Sequence, residues 1–116
     1  MRTENYEMAL GYVKELEMIY AGKKKVERDE VAEEYTLYDY MAEQVLDMEY
    51  ILDSYFRLIG VKLYLTLGGP TVWLDTRTRE LHFCWGTDKE VLYVDNNICE
   101  EINDMVLELN SDRFTA

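Results

Sequence analysis

The chain has 116 residues, of which 24 are acidic and 12 basic, a formal net charge of −12. That length bounds it to one domain with an ordinary core, and a hydrophobic fraction of 48% with ten tyrosines and two tryptophans excludes a disordered chain. The negative field disfavours nucleic acid and anionic membranes as partners and suits a basic protein surface; solubility is its plainer consequence.

Cys84 and Cys99 are the only cysteines. With an adequate core available, they suggest free thiols in a reducing compartment. Met1-Arg2-Thr3-Glu4-Asn5 runs straight into charged residues with no apolar leader, and the longest apolar run falls far short of a membrane span. A cytoplasmic protein is expected, with no membrane partner.

In chain order, the spacing of Ala9, Val13, Leu16 and Tyr20 predicts a first helix over about 4–21, capped by Thr3 or Asn5 and stopped at Gly22. Lys23-Lys24-Lys25 follows and complements the helix dipole. A second helix is expected over about 29–59, because Met41, Val45, Met48, Leu52, Tyr55 and Ile59 recur at intervals of four and three. The apolar phase is poorer before Thr36, where a break is compatible with the pattern. Gly60 ends this helix.

From Val61 to Val94 the period changes to two. Val61, Leu63, Leu65 and Leu67, then Val72 and Leu74, then Leu81, Phe83 and Trp85 alternate with polar or aromatic residues. Gly68-Gly69-Pro70, Asp75 to Arg79 and Gly86-Thr87-Asp88 supply turns. Connections this short favour antiparallel neighbours. A last helix over about 97–109 places Ile98, Ile102, Met105 and Leu109 on one face, with Asn97 and Glu100 at capping-box spacing. Arg113 to Ala116 read as a loose tail.

The expected fold is therefore α+β: a four-stranded antiparallel β-meander packed on one face by two or three helices. Leu63, Leu65, Val72, Leu74, Leu81, Phe83 and Trp85 face the helices. Lys62, Tyr64, Thr66, Thr71, Trp73, Asp75, His82 and Cys84 lie on the opposite face, which meets solvent, a partner, or the first helix or tail. Tyr64 beside Trp73 is a candidate interaction patch there.

Residues able to carry catalysis are sparse. His82 and Cys84 share a strand face, but such neighbours lie ~7 Å apart, beyond a hydrogen bond. Cys84, Cys99 and His82 fit no zinc spacing, and the acidic runs lack a calcium-loop pattern. Gly68-Gly69-Pro70 lacks the lysine and following helix of a phosphate cradle. No enzyme activity, metal or cofactor is expected.

The acidic second helix carries the functional signal. Asp39, Glu43 and Asp47 recur every four residues, an advance of about 6 Å at ~1.5 Å per residue. Phosphates of one DNA strand advance ~3.4 Å per nucleotide, so the row matches roughly every second phosphate. Glu33 and Glu34 extend it, and Asp95, Glu100, Glu101 and Asp104 form a second acidic cluster. Arg57 is the only base between Asp29 and Leu58. A solvated helix face is the plainer explanation of the same residues.

The segment GGPTVWLDTRTRELHFCWG, residues 68 to 86, resembles a pattern in small uncharacterised proteins of phages and other bacterial mobile elements, which pair a Gly-Gly-Pro turn with a Trp-Gly a strand and a half later. The resemblance carries over no functional residue. It implies a context in which small acidic proteins inhibit host defence, as anti-restriction and anti-CRISPR proteins do, some by imitating DNA. Together these features make the expected function that of an acidic inhibitor engaging a basic nucleic-acid-binding host protein, through Asp39, Glu43 and Asp47 with Glu33 and Glu34. The alternative is an interaction module or homodimer formed through Tyr64 and Trp73.

Overall fold

The computed structural model describes residues 2–114, with side chains from Glu4 onward. The side chain of Thr3, expected as a cap, and the last two residues of the expected tail lie outside what the structure describes.

Helix α1 (Arg2–Tyr20) buries Ala9, Val13, Leu16 and Ile19. Tyr20, expected on that face, is exposed: Ile19 completes the three- and four-residue spacing from Leu16, and Tyr20 falls one position beyond it. Because the helix begins at Arg2, Asn5 is an interior residue rather than a cap, buried with its amide donating to Asp88 at 3.5 Å. Gly22 ends the helix as expected. At φ +73° it lets the amides of Gly22 and Lys23 reach the carbonyls of Ile19 and Met18 at 3.0 and 2.9 Å.

The expected helix over 29–59 does not form. Its span instead holds strand β2 (Val31–Glu34), which pairs with β1 (Lys25–Arg28) just before it, then helix α2 (Leu37–Gln44), strand β3 (Asp47–Leu52) and the start of the next strand. Three local causes are visible. Asp29 and Glu30, at φ 51° and 66°, turn the β1–β2 hairpin through left-handed backbone that no α-helix contains. Thr36 and Asp39 form a capping box that starts α2 afresh, at the position where the apolar phase was weak. Asp53 accepts the amides of Tyr55 and Arg57 at 2.8 and 3.0 Å, closing a turn with Phe56 at φ 62° that sends the chain back along β3.

Strand β3 pairs antiparallel with β4 (Leu58–Thr66), and β5 (Thr71–Asp75), β6 (Glu80–Trp85) and β7 (Asp88–Tyr93) follow in order. The meander thus has five strands rather than four, and β1–β2 forms a separate two-stranded sheet. The inner face presents Val61, Leu63, Leu65, Val72, Leu74, Leu81 and Phe83, all buried. Trp85, expected among them, is 47% exposed: it is the last residue of β6, paired with Asp88 at the turn, and lines an open pocket with Glu4, Asn5 and Met8 at the start of α1.

Helix α1 lies over β6 and β7, and α3 (Asn96–Leu109) over β4. Asp95, not Asn97, caps α3, its carboxylate accepting the Asn97 amide at 2.7 Å. Ile98, Cys99, Ile102 and Val106 enter the core, whereas Met105 is half-buried and Leu109 exposed. The described part of the tail is not loose: the Phe114 ring meets Tyr50 edge-on, 5.0 Å between centroids. The extents of 43 × 43 × 23 Å are those of a flat slab, one layer of helices on one sheet. Among the described residues, no helix is long and apolar enough to cross a membrane.

Thr76 joins the layers. Its buried hydroxyl accepts the Val61 amide of β4 at 2.9 Å and lies 2.6 Å from the Asn103 side chain of α3. Gly60 lets the same turn approach, since a Cβ there would meet that of Arg77 at 2.7 Å. Thr76→Val keeps the shape but strands a buried amide, so chemical denaturation should show a loss of about 1–3 kcal/mol. An unchanged midpoint would mean that the hydroxyl holds nothing together.

Candidate functional site

Refolding the second segment regroups the expected site residues. Glu33 lies on β2, and Asp39 and Glu43 on α2, and all three converge on Arg28 of β1. The guanidinium is 3.4 Å from Glu33, 3.3 Å from Asp39 and 3.6 Å from Glu43. The hairpin turn brings this counter-ion back onto carboxylates that look unopposed in sequence. Glu34 stands apart, exposed, its carboxylate beside Gly22. Asp47 leaves the helix for β3, so the four-residue row ends at Glu43 and its match to a phosphate spacing is lost.

Asp47 instead joins the other two candidates. Across β3, β4, β5 and β6 the register sets Asp47 opposite Tyr64, Tyr64 opposite Trp73 and Trp73 opposite His82. On this outer face Trp73 stacks on His82, 4.7 Å apart and 4° from parallel, with Tyr64 at 6.3 Å. The Tyr64 hydroxyl donates to Glu49 at 2.6 Å, a bond that raises its pKa. Lys62 sits 5.9 Å from the Trp73 ring. His82 is thus engaged by Trp73 and by Glu80 at 3.2 Å, with Cys84 not among its partners. Burial pushes the Cys99 thiol up to about 11, which keeps it protonated and inert.

Among the described residues, acids without a lysine or arginine neighbour occur along the whole chain, and four of them gather on α3. Among the described residues, Glu15, Glu33, Asp39, Glu43 and Asp53 are the carboxylates that meet a lysine or arginine. Glu100, Glu101, Asp104 and Glu108 of α3 are exposed and absent from that set. They line a groove of about 350 Å³ with Tyr20 and Met105. From Glu101 to Glu108 the helix advances about 10 Å at ~1.5 Å per residue. Glu100, Glu101 and Asp104 were readable as an acidic cluster; that no lysine or arginine among the described residues meets them was not.

Sequence reasoning assigned Met41, Met48, Met105 and Leu109 to the core. Together with Tyr38, they border an open apolar pocket of about 180 Å³ where α2, β3 and the end of α3 meet. The one hint was the methionine content of six. No group of three or more His, Cys, Asp or Glu with metal-holding geometry occurs among the described residues. No protein-family model, curated protein or solved structure matches this chain.

The Arg28 cluster has a pH signature. The Thr36 backbone amide first, then the Thr36 hydroxyl and Arg28, hold the Asp39 carboxyl below its usual 3.8. Asp39 therefore favours the folded state above the ordinary carboxylate pKa, and this contribution fades as pH falls through its lower native value. An NMR titration should place the Asp39 midpoint below 3.8, and Thr36→Ala should move it back up. A wild-type midpoint at or above 3.8 would contradict the capping geometry.

Proposed function

We propose that this chain is a non-catalytic acidic protein that binds a basic, nucleic-acid-gripping partner and occupies its phosphate-binding surface. The resemblance of residues 68 to 86 to mobile-element proteins supplies the context, inhibition of a host-defence protein. One observation carries the proposal: the carboxylates Glu100, Glu101, Asp104 and Glu108 project from a single helix with no lysine or arginine partner among the described residues. Like charges at three- and four-residue spacing cost about a few tenths of a kcal/mol per pair, and a cationic partner would relieve that repulsion. Glu34 and Asp47 add to the field, whereas Glu33, Asp39 and Glu43 contribute less because Arg28 offsets part of their charge.

Charge reversal tests the assignment. A pull-down from bacterial lysate should recover basic nucleic-acid-binding proteins at low salt and lose them at high salt. Glu101→Lys with Asp104→Lys and Glu108→Lys should cut capture by about tenfold or more. The pair Asp39→Lys with Glu43→Lys should have a smaller effect. Recovery of only acidic or salt-insensitive partners would refute the proposal.

A second reading rests on a separate observation. Among the described residues the slab has one helical layer, on the other side of the sheet from the row of Tyr64, Trp73 and His82. Such a face suits a homodimer or another protein contact. Sedimentation should then show a dimer in the wild type and a monomer in Trp73→Glu; a monomeric wild type at all concentrations excludes the homodimer.

A further inference from the structure

The apolar pocket and the acidic groove adjoin. Met105 lines both, with Glu101 and Glu108 to one side of it around the circumference of α3 and Leu109 to the other. The pocket is walled by Tyr38, Met41 and Met48 as well, and its rims at Tyr38 and Leu109 are 54% and 59% exposed. About 180 Å³ is room for one or two apolar side chains rather than for a cofactor. Methionines can reshape such a pocket around different aliphatic or aromatic groups.

We infer that this composite surface takes a basic amphipathic segment of the partner. One apolar anchor enters the methionine pocket, and lysines or arginines lie along Glu101, Asp104 and Glu108. Charge complementarity selects the occupant. An apolar segment without cations would leave the neighbouring carboxylates facing uncharged surface, and an acidic one would be repelled. A cation without an apolar anchor would leave the pocket empty. The exposed Tyr20 ring, on the same groove, offers its face to an arriving cation. A helix with apolar residues at three- and four-residue spacing and cations beside them presents both features at once. The inference deepens the proposed function and rests on it, since the acidic part of the surface is shared.

Fluorescence anisotropy on the full chain separates the two. The probes are a labelled leucine–lysine peptide patterned as an amphipathic helix, a scrambled peptide of the same composition, and the patterned peptide with glutamine for lysine. The patterned basic peptide should bind tightest, by about tenfold or more over the scrambled one, the scale of burying one leucine-sized side chain. Ala42→Trp, which fills the pocket from its exposed wall, should remove that advantage. Leu109→Ser should also reduce it, and because Leu109 is exposed this variant keeps the test intact if the tryptophan variant misfolds. Glu101→Lys with Glu108→Lys should weaken both basic peptides.

If the scrambled and patterned basic peptides bind the wild type equally, the anchor fails and the acidic proposal survives. If neither basic peptide binds, both fail. Equal binding of the glutamine peptide overturns the basic character of the occupant. A wild-type dimer that Ala42→Trp dissociates would make a second copy of the chain the occupant and overturn the inference.

Discussion

Strand β4 is hydrogen-bonded along both edges, and the remainder of the structure follows from that requirement. Its inner side chains Val61, Leu63 and Leu65 are buried at the middle of the sheet, where an unpaired amide or carbonyl would carry a full desolvation cost. β5 satisfies one edge through a short turn. The other edge is satisfied by Asp47–Leu52, which takes that segment out of any helix. Helix α2 is confined to what remains between the hairpin and β3. The Thr76 hydroxyl then ties the β5–β6 turn back to β4 and to α3, so that a single buried oxygen connects both layers.

The same pairing redistributes charge. A continuous helix would have strung Asp39, Glu43 and Asp47 along one rod. The observed chain folds Arg28 back onto Glu33, Asp39 and Glu43 and hands Asp47 to the sheet. Each of these exposed ion pairs contributes little stability. Their effect on the surface field is larger, because one guanidinium serves three carboxylates. Helix α3 gathers four carboxylates that meet no described lysine or arginine; its inner face is held by Ile98, Ile102 and Val106, and its outer face carries Glu101, Asp104 and Glu108. A rigid helix anchored by buried aliphatics is a better platform for charge than a hairpin exposed on both strands.

Packing at the end of α3 produces the other notable surface. Because α2 is short, Met41 and Met48 come from different elements and do not close over Met105, leaving a pocket where a core stripe was expected. That pocket opens beside the carboxylates, so apolar and electrostatic recognition occupy one continuous stretch of α3. The outer sheet face is chemically distinct: Trp73, His82 and Tyr64 pack on one another and fill it with aromatic surface.

Residues 61–94 were legible because one periodicity governed them: alternation, bounded by glycine- and aspartate-rich turns, specified four strands, their antiparallel order and, Trp85 apart, which side chains faced inward. The first helix, its glycine stop and the last helix were legible for the same reason, as was the identity of Tyr64 and Trp73 as neighbours. Residues 25–59 were not, because two readings compete there. Asp39, Glu43, Met41, Val45 and Met48 fit helical spacing, and the exposed hairpin and edge strand bury too few residues to display alternation. Local spacing could not reveal that β4 needed a second neighbour or that Arg28 would reach across a turn to three carboxylates. Composition and spacing determined the negative charge and the strand-and-helix alphabet. Tertiary structure alone decided where that charge stands unopposed, since neutralisation depends on which side chains meet in space.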